Sequence, residues 1–388
     1  MLLLVALACG TSGDSPTDVE IVAPLPTTLK PAPPLRVAPS PTPAPAVKPT
    51  AVAGEWIQLA PRDERRVNFH AESLPEGRIL IFGGAGNDGV MLTSEIYDPK
   101  TDMWSESGEM VYPITASTRP IRLTTGRILV TDAPAYSPSD HSQIYDPKTG
   151  EWSETGPLNN RRNASTVAPL SGGDALVIGG ANQTAEPTGS AERFNARSGQ
   201  WKEAADSPLQ QRYVQASVLL DDGTVALIGE GTTLSDKAAI YDPDHDKWTE
   251  TALMNEKRRG AAVWALSGGR VLVVGGFAGA APTFKSEIYD SGTDEWASAA
   301  DAPGGLSALG TLSDGRALAI GFDRESGEDA VLIYDPESDM WEAEPISIVF
   351  EGNGTITLTP DDQIFAFASG NEFLGNRPET FAYRVATR

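Results

Sequence analysis

The sequence is poor in the residues that carry redox, metal and nucleophilic chemistry. Its 388 residues include one cysteine, Cys9, and three histidines. A single cysteine permits no internal disulfide, and cysteine usage here does not fix the redox compartment. His70, His141 and His245 stand far apart at unrelated offsets, so nothing in their spacing gathers them around a metal. No Ser/His/Asp constellation and no phosphate-binding loop is present as a motif. The apolar run Met1–Ala8 is too short to span a bilayer. Positive charge is scarce as well. Thirty Lys and Arg face 53 Asp and Glu, a formal net charge of −23. That balance argues against nucleic acid and against anionic membrane surfaces, and it favours solubility.

What the chain does have is a repeat, the first thing to seek in any sequence. Seven of the eight tryptophans stand nearly in phase: Trp56, Trp104, Trp152, Trp201, Trp248, Trp296 and Trp341, with steps of 48, 48, 49, 47, 48 and 45. An aromatic precedes the last six by seven residues: Tyr97, Tyr145, Phe194, Tyr241, Tyr289 and Tyr334. Upstream lie glycine pairs such as Gly83-Gly84, Gly179-Gly180 and Gly275-Gly276, which follow apolar runs such as Ile79–Phe82 and Val271–Val274. Apolar runs of that length, bounded by glycine, fit strands buried on both faces. Glycine pairs suit a strand end that another backbone approaches closely. Tyr-Asp-Pro makes a turn, because Asp bonds its own backbone and Pro fixes φ. A unit of about 48 residues with four short strands is a propeller blade.

On these residues the chain resembles the kelch-repeat family over about Glu55 to Arg388. The resemblance implies a galactose-oxidase-like β-propeller, four-stranded blades around a central channel, without the copper site. Copper chemistry of that kind needs a cysteine crosslinked to a tyrosine, and the sole cysteine is Cys9. Seven Gly-Gly positions predict seven blades; six plus an irregular tail is the competing count. The last unit has its aromatic at Tyr383 and ends before its tryptophan, whereas Trp56 has no unit before it. The expectation is an all-β, seven-bladed kelch propeller closed by the strand at Trp56 beside Tyr383. Closure removes an open seam of strand edges.

Ahead of this domain, residues 1–9 resemble a bacterial lipoprotein signal ending at Cys9, the expected lipidation site. An ordinary secretory signal is the alternative, since no Lys or Arg precedes the apolar run. Residues 10–54 read as a disordered Pro-rich linker, a semi-rigid tether. Residues 55–388 form the propeller. The expected location is extracytoplasmic, on the bacterial membrane through a lipid at Cys9 alone, or secreted.

One constellation stands out within the repeat. Seventeen residues before the first Gly-Gly residue lie Arg66, Arg162, Arg212 and Arg258, with Thr115, Gly304 and Glu351 in the other blades. A ring of guanidinium groups at one channel mouth suits an acidic ligand, because Arg binds carboxylates in bidentate fashion. The structural alternative has each Arg bonding backbone carbonyls between blades. The functional expectation is a non-enzymatic module binding a glycan or protein ligand at the channel mouth, with no cofactor, no metal and no nucleic acid. An enzyme on an acidic sugar, similar to the kelch sialic-acid mutarotases, is the alternative. Trp264, off-phase in a predicted inner strand, reads as core filling.

Overall fold

The computed structural model describes residues 54–62, 64–114, 120–131, 139–182, 186–209, 216–229, 234–346, 354–369 and 378–385. All belong to the second of two compact units, Val47–Arg388. Residues 1–9 with the expected lipidation site Cys9, and most of the expected linker, lie outside them.

Seven four-stranded antiparallel sheets follow one another. Blade 1 is His70–Ser73, Ile79–Phe82, Ser94–Asp98 and Met103–Ser107; blade 2 is Ile121–Arg122, Ile128–Thr131, Ser142–Asp146 and Glu151–Glu154. Blade 3 is Thr166–Pro169, Ala175–Ile178, Ala191–Asn195 and Gln200–Ala204; blade 4 is Ala216–Leu219, Val225–Ile228, Ala238–Asp242 and Lys247–Glu250. Blade 5 is Ala262–Leu266, Arg270–Val274, Ser286–Asp290 and Glu295–Ala299; blade 6 is Leu306–Thr311, Ala317–Asp323, Glu328–Asp335 and Met340–Pro345. Blade 7 takes Gly354–Leu358, Gln363–Ala368 and Thr380–Arg384 from the end of the chain and Trp56–Leu59 from its beginning. First strands of neighbouring blades touch one another, blades 7 and 1 included and blades 1 and 2 through Arg122 bonding Ser73 at 2.7 Å, so the first strand is innermost and the ring is closed. Trp264 fills the inner strand of blade 5, 2% exposed, and donates its indole N–H to Leu318 O at 3.1 Å.

The second strands explain the apolar runs. Ile79–Phe82, Ile128–Thr131, Ala175–Ile178 and Val225–Ile228 are buried at every position. Each blade packs both faces against neighbours, so strict alternation has no solvent face to serve. The aromatic and the tryptophan of a unit face each other across the third and fourth strands. Their ring centroids lie 5.0–5.3 Å apart in blades 1 to 6. In blade 7 Trp56 pairs with Tyr383 in the same register, at 5.1 Å. The closing strand thus repeats the geometry of the covalently continuous blades.

Antiparallel order puts the first-to-second and third-to-fourth connections at one end of the ring, here the turn face. The second-to-third connections and the links between blades share the other end, the loop face. On the turn face, Asp102, Asp246, Asp294 and Asp339 occupy the left-handed region at φ 48–56°. Each accepts the hydroxyl of the tyrosine five residues back, at 2.6–2.9 Å. The same Oδ1 accepts a backbone N–H of the preceding blade from Ala60, Ala205, Ala252 or Ala300 at 2.8–2.9 Å. The tryptophan of the unit donates its indole N–H to that same alanine's carbonyl. One aspartate therefore holds a turn, a tyrosine and the neighbouring blade together. Burial first, then the bond to aspartate, pushes the Tyr97, Tyr241, Tyr289 and Tyr334 hydroxyls well above their ordinary value.

Candidate functional site: the loop face

The predicted arginine ring lies beneath the loop face, and it is buried. Arg66, Arg162 and Arg258 are 0%, 1% and 2% exposed. Each Nη1 bonds the first Gly-Gly carbonyl, of Gly83, Gly179 or Gly275, at 3.0–3.2 Å. The same nitrogen reaches the carbonyl just before the third strand, of Thr93, Ser190 or Lys285, at 2.7–2.9 Å. Each also pairs with a third-strand glutamate: Arg66 Nε with Glu95 at 3.2 Å, Arg162 Nη2 with Glu192 at 2.8 Å, and Arg258 Nη2 with Glu287 at 2.6 Å. Glu192 and Glu287 in turn accept backbone N–H groups from Asn159, Asn160, Asn255 and Glu256.

The expectation that these arginines contact a ligand is thereby corrected for the three that are described. Their donors tie both ends of a loop to the strand below, and none of these three guanidinium groups faces an open mouth. The acidic-ligand expectation loses that basis. Arg212 lies outside the described residues, as do Thr115 and Glu351. The sequence carried a signal for the structural role: glutamate stands two residues before the aromatic in blades 1, 3 and 5, each of which has the arginine. An acid recurring in register with a buried base marks an internal pair. Blade 2 has Gln143 at that place, which takes backbone bonds from Val111 and Tyr112 without an arginine.

What the staple presents is the next residue. Side chains alternate along extended chain, so the residue after a buried arginine points the other way. Val67, Asn163 and Arg259 each form an antiparallel bridge to the loop beyond the second strand, at Ala85, Ala181 and Phe277. Ala85, Ala181 and Phe277 pair on their far side with Val90, Pro187 and Pro282. Blades 1, 3 and 5 therefore each raise a small three-stranded platform above the staple. The glycine pairs make room for it. A Cβ on Gly84, Gly180 or Gly276 would stand 2.5–2.6 Å from the carbonyl of Val67, Asn163 or Arg259, and all three glycines have positive φ. The platforms differ in chemistry: Val/Ala/Val, Asn/Ala/Pro, and Arg/Phe/Pro with the Arg259 guanidinium 5.2 Å over the Phe277 ring.

At the seam one arginine is exceptional. Arg62 N donates to Pro378 O, as Met110 N does to Leu92 O and Met254 N to Asp236 O in other blades. Its side chain thus stands where other blades bury an apolar residue, Met110, Leu158, Met254 or Ala302. The guanidinium is fully buried, bonds Ala368 O at 3.1 Å and lies 4.3 Å over the Phe69 ring. Nε and Nη1 have no hydrogen-bond partner among the described residues. Burial lowers its pKa to about 10.

The histidines stay apart: His70 in the inner strand of blade 1, His141 before the third strand of blade 2, His245 on the turn face with Nδ1 2.6 Å from Asp242. Among the described residues no three His, Cys, Asp or Glu side chains gather as metal ligands.

Fold, repeat and clamp together define a closed propeller of kelch type, and comparison with known proteins agrees. The kelch motif family matches residues 69–111. The chain is 27% identical over 220 residues to Kelch-like protein 36 of Bos taurus, covering 50% of this chain and 33% of that protein. It is 30% identical over 176 residues to Kelch-like protein 35 of Mus musculus, covering 44% and 29%. It is 26% identical over 252 residues to Kelch-like protein terF of Aspergillus terreus, covering 57% and 53%. The chain thus spans from under a third to about half the length of these relatives. Among solved structures, a fungal alcohol oxidase of the AA5 family in complex with copper superposes with a TM-score of 0.64 at 17% identity, over 86% of this chain and 76% of that one. At that identity the likeness shows the fold alone. The chain is a kelch-repeat β-propeller.

Proposed function

We propose that this propeller is a non-enzymatic interaction module whose loop face binds a partner. One observation carries the reading. Nine large apolar side chains are exposed among the described residues, and seven lie in loop-face segments: Val67, Val90, Leu92, Val111, Leu234, Leu253 and Phe322. Met103 and Met340, at the turn-face ends of outer strands, are the other two. Exposed apolar side chains gathered at one end mark an interaction surface, and loops on a rigid scaffold are where function concentrates. The kelch relatives support the same reading. A protein partner suits this surface better than a glycan, because what it offers is aliphatic. The proposal keeps the module outside the cytoplasm, tethered through Cys9 and the Pro-rich segment.

A photo-crosslinking residue placed singly at Leu253, Val111 and Asp244, in the cell that makes the protein, tests it. Adducts of defined mass should form at Leu253 or Val111 on the loop face and not at Asp244 on the turn face. Adducts confined to Asp244 overturn the proposal. So does acceleration of sialic-acid anomer exchange well above the uncatalysed rate, which would establish the enzyme instead.

A further inference from the structure

We infer that the blade 1 platform is a seat for an extended partner segment in which aliphatic and basic side chains alternate. The inference rests on the interaction-module reading and gives its partner a chemistry. Val67 pairs with Ala85, and Ala85 pairs with Val90, all antiparallel. Directly opposed residues share a sheet face, so the three side chains stand in a row. Strands lie about 4.8 Å apart, which places the valines roughly 10 Å from each other with a single methyl between them. The row is therefore ridge, floor, ridge: a slot one aliphatic side chain wide. Its walls are open to water, with Val67 39% and Val90 62% exposed. The apolar surface continues along backbone neighbours. Leu92, 37% exposed, accepts from Met110 N, and Val111, 40% exposed, follows Met110.

Charge around the slot is mainly acidic. The loop-face segments of blade 1 carry half-exposed Glu64 and exposed Asp88 and Glu109. They contain no lysine; Arg62 and Arg66 are buried, Arg66 pairing with Glu64 at 2.7 Å, and half-exposed Arg65 is the one cation at the surface among the described residues there. The corresponding platform of blade 5 is richer in cations, with exposed Lys257, Arg259 and Lys285 against half-exposed Glu256 and exposed Asp301, which pairs with Lys285 at 3.2 Å. Blade 1 therefore selects a partner that brings aliphatic groups to the slot and cations to its rim. Blade 5 disfavours the same segment through like charge. An acidic or purely polar segment meets repulsion at blade 1 and leaves the valines wet.

Fluorescence anisotropy of the full chain with a labelled Lys-Leu-Lys-Val-Lys-Leu-Lys peptide tests this. Saturable binding is expected, weakened by salt and absent for the same peptide with Glu for Lys or Ser for Leu and Val. Ala85→Leu, which fills the slot, and Val90→Ser should each weaken binding about tenfold, roughly the cost of losing one anchoring contact. Asp244→Asn, on the turn face of blade 4, should leave it within about twofold. Melting temperature, read alongside, separates local loss from unfolding. No saturation, or binding unchanged in both Ala85→Leu and Val90→Ser, overturns the seat. If Leu253 then still forms adducts, the interaction module stands and only its blade 1 chemistry falls.

Discussion

The two ends of the ring use polar and apolar groups in opposite ways. On the turn face, the six turns between third and fourth strands, counted with the strand residue at each end, carry 13 carboxylates against four cations. Four of those carboxylates are engaged inside the molecule, each holding a tyrosine and a neighbouring blade. The loop face keeps its strongest polar pairs below the surface and turns aliphatic groups outward. One end builds the ring; the other is held rigid by buried staples and left free to bind. The same residue type, arginine, is structural at one position and surface-forming at the next.

The largest expected effect comes from the staples. Arg162→Ala would leave Glu192, 0% exposed, as a buried carboxylate without its cation. Removing one partner of such a pair costs about 3–5 kcal/mol, read as a loss of denaturation free energy. A loss below about 1 kcal/mol would mean that the loop face does not depend on its staples.

On the turn face, Asp294→Ala strands the Tyr289 hydroxyl and Ala252 N–H and puts alanine at φ 55°. A loss of about 1–3 kcal/mol is expected, with loop-face binding retained. Binding lost together with stability would show that the two ends are not separate.

Arg62→Met should move the other way. It exchanges an under-satisfied buried charge for the side chain that stands between blades 1 and 2 at Met110 and between blades 4 and 5 at Met254. A gain of about 1 kcal/mol is expected in urea melts. Destabilisation would assign Arg62 an essential part in closing the seam.

The smallest effect is a pH slope at the channel wall. Burial raises Glu72 to about 7 from an ordinary 4.5, against the pull of Arg122. Its carboxyl stays protonated in the folded chain where the unfolded chain has already ionised. Stability from this group is therefore fully present below about pH 4.5 and declines until about pH 7. Glu72→Gln should flatten the melting-temperature profile across that window. An unchanged slope would show that Glu72 titrates normally.

How much of this was legible in the sequence differs between the two ends. The turn face was written in local motifs: Tyr-Asp-Pro, the tryptophan seven residues on, and the count that placed Trp56 beside Tyr383. These work because turn chemistry and period act within one unit. The loop face depends on partners far along the chain, such as the Glu192 carboxylate and the Gly179 carbonyl for Arg162. Position alone therefore found the arginines and left two outlooks open, toward a ligand or toward backbone carbonyls. The glutamate in register was visible. The exposure of Val67 and Arg259 followed only from the bridges that flip the residue after each staple.

Arg258 and Arg259 allow the most direct measurement, because they are adjacent and chemically identical. Arg258 is 2% exposed and stapled to Gly275 O, Lys285 O and Glu287, whereas Arg259 is exposed above Phe277. Each is changed to alanine, and unfolding free energy is measured beside adduct formation at Leu253. The account predicts that Arg258→Ala loses about 3–5 kcal/mol, and that Arg259→Ala stays within about 0.5 kcal/mol while its adduct yield falls. Equal destabilisation by the two variants, or full adduct formation in Arg259→Ala, would contradict it.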